Sequence, residues 1–168
     1  ECYPSDAFMA LMEEVQPAQC TLVPDPPGVL TSSAGWDTIT HRDKLREIVS
    51  QLHGWGIRTS LFIETDTRLL DAAKKTGTDR IEFYTGPYAE QYPTDSARAV
   101  APYILAAQHC NQIGLGINAG HDLNTENLGF FVQNVPNVLE VSIGHALIAD
   151  ALCWGLEETH RRYLACLT

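Results

Sequence analysis

Residues 104–121, ILAAQHCNQIGLGINAGH, decide between two ways of building an α/β protein. Gly114, Gly116 and Ala119 match the G-x-G-x-x-G/A spacing of a dinucleotide-binding turn. That turn needs a strand before the first glycine and a helix opening at the third. Upstream, however, Val100, Ile104 and Ala107 recur on one helical face. Gly114 is therefore read as the stop of a helix, and LGINA (115–119) as the strand. Glu140, about 20 residues on, imitates the ribose-binding acid of the fingerprint but falls inside a second strand pattern. What remains of the motif is a strand that delivers Gly120 and His121 to its C-terminal end.

Outward from this stretch the same unit recurs. SDAFMALMEEV (5–15) carries an N-cap serine and Phe8, Leu11, Met12 and Val15 at helical spacing. QCTLVP (19–24) is a short strand stopped by proline, followed by a Pro- and Gly-rich loop to about Asp37. The segment 38–56 is a helix closed by glycines, IRTSLFIE (57–64) a strand, 66–77 a helix, and DRIEFYTG (79–86) a strand. A long helix is expected over Thr94–Ile113, with Pro102 starting, kinking or splitting it. A helix near Asn124–Gln133, the strand VLEVSI (138–143) and a last helix from Ala146 to about Leu164 complete the series. Counted from a strand stub at Glu1, about six strand-helix units alternate, which means parallel strands with crossover helices. Polar or titratable groups stand at nearly every strand's C-terminal end. An eightfold (βα)8 TIM barrel collects its chemistry there, whereas a doubly wound sheet gathers it at one switch point. The expected fold is thus six of the eight barrel units, one domain over 1–168, with two units expected ahead of Glu1.

Composition narrows the partners. The 168 residues carry a formal charge of −10, with 11 Lys and Arg and no basic run, so neither nucleic acid nor an anionic membrane is an expected partner. Five widely spaced cysteines without a C-x-x-C pair point to reduced thiols and a cytoplasmic location. No apolar run reaches the ~20 residues of a membrane span. An acidic protein still binds phosphorylated metabolites locally, through amides at helix N-termini.

Four positions carry candidate chemistry. His121, after Gly120, has the residue type of a general acid, and the glycine lets substrate approach the backbone; the alternative is a loop histidine satisfied by its neighbours. Gly144 and His145 end the last strand and open a helix, the place of a barrel phosphate site; the alternative is a packing glycine and a helix-capping histidine. Glu82 alternates with Ile81 and Phe83 and points into the barrel, where a carboxylate is costly unless paired or functional. Glu1 stands at the strand stub, with an exposed chain end as the plainer reading. HRD (41–43) lies on a solvated helix face. His53, His109 and His160 show no metal-ligand spacing, so no metal site is expected.

Several motifs in fixed order, CTLVPDPPGVLTSSAGWD, HRDKLR, SLFIETD, IEFYTGPYA, INAGHDLNTENL and SIGHALIADAL, resemble the pyridoxine 5′-phosphate synthase family of the deoxyxylulose-dependent vitamin B6 pathway. The resemblance runs from Glu1 to the last helix. It implies a (βα)8 barrel that condenses 1-deoxy-D-xylulose 5-phosphate with 3-amino-2-oxopropyl phosphate, giving pyridoxine 5′-phosphate, phosphate and water without a cofactor, in a homo-oligomer. By the same resemblance Glu1 is a proton acceptor, His121 the proton donor and Glu82 a transition-state stabiliser. Thr31 contacts the deoxyxylulose phosphate, and Asp122, Gly144 and His145 bind the amino-ketone phosphate.

Three features depart from the family pattern. Asp122 stands where glycine is frequent, so its side chain has to point away from a phosphate while its amide serves. Tyr84 replaces a histidine and Asp25 a glutamate. The first two strand-helix units, which hold much of the deoxyxylulose phosphate site, are absent, so residues 1–168 alone are expected to be inactive or misassembled. Other readings are a different phosphate-binding barrel, an isomerase or an aldolase with a Schiff-base lysine, and a non-catalytic remnant.

Overall fold

A computed structural model describes residues 1–26, 28 and 34–168. Thr31 lies outside the described residues. The elements follow in the order α1 (Asp6–Val15), β1 (Gln19–Leu22), α2 (Arg42–Gly54), β2 (Arg58–Ile63), α3 (Thr67–Thr76), β3 (Arg80–Tyr84), α4 (Gly86–Gln91), α5 (Ser96–Ile113), β4 (Gly116–Gly120), α6 (Leu128–Asn134), β5 (Val138–Ser142), α7 (His145–Trp154) and α8 (Leu156–Ala165). Local chemistry sets many of these ends. Ser5, Asp66 and Asp95 accept backbone amides as N-caps of α1, α3 and α5. Gly77 and Gly114 close α3 and α5 at φ of 87° and 71°, the left-handed conformation that glycine adopts without penalty. Gly114 therefore ends a helix, and the dinucleotide reading has no strand before it.

The five strands form one parallel sheet in the order β1-β2-β3-β4-β5, each paired with the next in the chain. Cys2 adds an isolated parallel bridge to Leu22, which is the strand stub expected at the N-terminus. The order contains no switch point, which removes the doubly wound alternative. The sheet is also curled. In a flat sheet β1 and β5 would lie about 19 Å apart, four spacings of about 4.8 Å. Yet Gln19 Nε2 on β1 donates to Glu140 Oε2 on β5 at 3.0 Å. The convex face carries Leu22, Leu61, Ile63, Ile81, Phe83 and Ile117, all fully buried against the helices. The concave face carries the alternate, largely polar positions.

Three details differ from the sequence reading. Pro102 neither starts nor splits its helix: α5 runs for 18 residues through it. The expected final helix is instead two, divided at Gly155, whose φ of 80° and ψ of 153° no helix accommodates. The short α4, with Pro87 in its first turn, has no counterpart in the sequence pattern, because six residues are too few to show a period.

Candidate active site

The concave face is built in polar layers. Near the N-terminal ends of the strands, Glu140 accepts from Arg58 at 2.7 Å and pairs with Arg80 at 2.9 Å, while Arg80 also donates to Asn118 Oδ1 at 3.1 Å. Burial alone would raise the Glu140 carboxyl; Arg80, Gln19 and Arg58 outweigh it and hold the group below its ordinary value. A layer higher, Glu82 is 1% exposed. Its Oε2 accepts from Thr21 Oγ1 at 3.2 Å, and Ser142 supplies a second hydrogen bond. Burial pushes the Glu82 carboxyl up to about 7, the nearby Glu1 carboxylate adds to the rise, and the two hydroxyls only partly offset it. A carboxyl in that range is divided between its acid and base forms near neutral pH.

At the C-terminal mouth of the strands lies a cavity of about 260 Å³, lined by Glu1, Glu82, His121, Asp122, Leu123 and the segment 142–146. All six candidate positions singled out in the sequence and described in the structure, Glu1, Glu82, His121, Asp122, Gly144 and His145, meet here, although they come from the N-terminus, β3, the end of β4 and the start of α7. Glu1 is exposed, as a chain end should be, but it faces this cavity. A Cβ at Gly144 would meet nothing within 4 Å, so this glycine is not held for packing; the clearance opens onto the cavity. His145 makes no capping hydrogen bond to α7. The amides of that helix's first turn thus have no side-chain acceptor, the arrangement that suits an anion.

The turn after β4 is held under constraint. His121 and Asp122 adopt φ of 93° and 58°, sparsely populated for side-chain-bearing residues. Thr85, fully buried, donates its amide to Gly120 O at 2.9 Å and its hydroxyl to the carbonyls of Gly120 and His121. Asn127 Nδ2 donates to Asp122 O at 3.2 Å. These clamps fix the backbone conformation that presents the imidazole. The Tyr84 ring meets that imidazole edge-on, with centroids 4.9 Å apart and planes at 87°, and Phe62 stands 6.4 Å away. His121 Nδ1 lies 2.9 Å from Asp122 Oδ2. The Asp122 side chain also borders a neighbouring cavity of about 490 Å³ that includes Tyr84, Gly86, Pro87 and Asn124.

Thr21, Ser142, Thr85 and Asn127 were not singled out in the sequence. Thr21 and Ser142 carried a signal nonetheless, since both hold the inward phase of their strands, as Glu82 does. Thr85 and Asn127 are turn residues whose partners lie 35 and five residues away, and only folding pairs them. HRD (41–43) is exposed at the start of α2, and among the described residues no group of three or more His, Cys, Asp and Glu is placed to hold a metal ion. Among the described residues no helix is long and apolar enough to cross a membrane.

The family model described as "Pyridoxal phosphate biosynthesis protein PdxJ" matches residues 1–168. A pyridoxine 5′-phosphate synthase of Porphyromonas gingivalis is 58% identical over 160 residues, covering 95% of this chain and 67% of that protein. The enzyme of the same name from Parabacteroides distasonis is 54% identical over 167 residues, 99% of this chain and 70% of that protein. Among solved structures, the Amycolatopsis orientalis BexX/CysO complex contains a chain that superposes with a TM-score of 0.59 at 15% identity, covering 95% of this chain and 59% of that one. This last likeness concerns the fold alone.

Proposed function

The chain belongs to the pyridoxal phosphate biosynthesis protein PdxJ family and is an enzyme of pyridoxine 5′-phosphate synthesis, and we propose that its cavity condenses 1-deoxy-D-xylulose 5-phosphate with 3-amino-2-oxopropyl phosphate. One observation carries the proposal. The cavity at the strand ends gathers two carboxyls, Glu1 and Glu82, with His121 on one side and an uncapped helix N-terminus at Gly144–His145 on the other. Ring closure between an amine and a ketone needs imine formation, loss of phosphate and water, and several proton transfers; positioned carboxyls and an imidazole supply these.

Each group has a role that its surroundings favour. The first-turn amides of α7 and His145 hold a substrate phosphate, which Gly144 lets approach closely. His121 gives a proton to the departing oxygen. Glu1 takes protons from carbon or nitrogen. Glu82, held near its half-ionised point by burial, hydrogen-bonds the charge that develops between them. Asp122 meets the amino-ketone phosphate only through its amide, and Thr31 contacts the other substrate. The lysines speak against an aldolase: Lys74 Nζ donates to Gly114 O and Lys44 Nζ to Tyr3 Oη, and no lysine lines the cavity.

The curled, sequentially ordered sheet supports a (βα)8 barrel as the complete fold. Unpaired thiols suit the cytoplasm, and the apolar residues left exposed on α7 and β5 suit a larger assembly, which we take to be a homo-oligomer of closed barrels. The test is direct. The complete protein incubated with both phosphorylated substrates is expected to form pyridoxine 5′-phosphate with release of inorganic phosphate, followed by mass spectrometry and phosphate assay. Absence of product with both substrates present overturns the assignment.

A further inference from the structure

The Asp122 carboxylate stands between two histidines. Its Oδ2 is 2.9 Å from His121 Nδ1 and its Oδ1 is 3.7 Å from His145 Nε2. Beside an expected phosphate site, a carboxylate is an electrostatic penalty. Its backbone, at φ of 58°, would suit glycine better. A residue that opposes both the ligand and the local backbone, yet sits in a clamped turn, needs a compensating role.

We propose that Asp122 is a positioning residue: its carboxylate holds His121 by the Nδ1–H, so that the proton transferred to or from substrate moves through Nε2. A carboxylate can only accept, so the 2.9 Å contact puts the hydrogen on Nδ1. The arrangement follows the logic of an imidazole oriented by a carboxylate for proton transfer. Tyr84 and Phe62 confine the ring, while Thr85 and Asn127 hold the backbone carbonyls on either side of it. Asp122 thus sets the ring's tautomer. The proposal rests on His121 being the proton donor, and it gives Asp122 a part that its amide alone does not play.

Two variants of the complete protein test it. Asp122→Asn keeps the shape and removes the charge; Asp122→Gly removes the side chain and relieves the backbone. Both are expected to lower kcat tenfold or more, with KM for the amino-ketone phosphate unchanged or reduced because a negative charge has left the phosphate's vicinity. Asp122→Gly is expected to melt no lower than the wild type, so lost activity cannot be lost folding. The independent readout is the 15N spectrum of the His121 ring in the ligand-free protein. The wild type should show the Nδ1–H tautomer, and Asp122→Gly should shift to the Nε2–H form. An unchanged tautomer, an unchanged kcat, or a raised KM with unaltered kcat overturns the proposal. Because the spectrum needs no turnover, it remains decisive even if the wild type fails to make pyridoxine 5′-phosphate.

Discussion

Glu82 shows how one strand position acquires chemistry. A carboxyl at 1% exposure has lost most of its hydration, and that burial, with a further rise from the nearby Glu1 carboxylate, pushes it up from 4.5 to about 7. Because the folded value lies above the unfolded one, the folded state favours the protonated group. Its contribution is fully present below about pH 4.5 and is lost as pH rises through 7. At about 1.4 kcal/mol per pKa unit, the wild type should lose on the order of 3 kcal/mol relative to Glu82→Gln between pH 4.5 and pH 8. Urea midpoints of the two proteins at both pH values check this, and a gap independent of pH would contradict it. Activity of Glu82→Gln should fall about 100-fold or more. Gly120 matters to the same group: a Cβ there would press into Glu82 Oε1 and lie 3.0 Å from Ser142 Cβ. Gly120→Ala is therefore expected to displace the carboxylate, costing about 1–3 kcal/mol of stability and at least tenfold in kcat, measured by thermal melting and steady-state assay. Glu82 was legible in the sequence because an acid in an apolar alternation is conspicuous. Thr21 and Ser142 showed only an inward phase, and their pairing with Glu82 was not legible, because a strand's own sequence does not say which residue faces it across the sheet.

At the scale of elements, most strands and helices followed from periodicity and caps, and the misreadings have local causes. The residues from Ala146 to Leu164 keep an apolar-polar pattern across Gly155, so period alone sees one helix; only the backbone at that glycine separates α7 from α8. Its φ of 80° with ψ of 153° is a region that residues with a Cβ hardly enter. Gly155→Ala is thus expected to lower stability by about 1–3 kcal/mol, even though its Cβ would meet open space. A midpoint equal to the wild type would mean that the α7–α8 corner adapts at no cost. Pro102 erred in the opposite direction. It removes an amide from α5, but six buried residues, Ala99, Val100, Tyr103, Ala106, Ala107 and Cys110, hold the helix across it. Packing here outweighs a local penalty of about 3 kcal/mol.

For the whole molecule, the curl of the sheet turns five separate strands into one site. The Arg58–Glu140–Arg80 cluster joins β5 back to β2 and β3, so a single carboxylate sets the spacing across the concave face. Removing it leaves two guanidiniums without their partner. Glu140→Ala should destabilise by about 1–2 kcal/mol, less than the 3–5 of a fully buried pair, because its side chain is 41% exposed. The Arg80→Met/Glu140→Ala double variant should recover part of that loss. Denaturant unfolding of the wild type, both single variants and the double variant checks the cycle, and additivity would show that the two groups do not interact. The outer edge has the opposite character. Leu139 on β5 and Ile148 and Leu152 on α7 are 55%, 61% and 86% exposed, while α7 contributes no buried residue. That face accords with relatives about half as long again, and residues 1–168 alone are expected to associate through it.

By itself the sequence determined the alternation of parallel strands and helices, the stop at Gly114 and the residue types needed for acid-base and phosphate chemistry. Those depend on caps, periods and side-chain identity, which are local properties of the chain. Only the tertiary structure decided that the sheet curls rather than lies flat, which hydroxyls restrain Glu82, and that the Asp122 side chain turns to His121. Each of these joins residues from different elements or fixes a conformation that neighbouring elements impose, and neither spacing nor composition encodes such contacts.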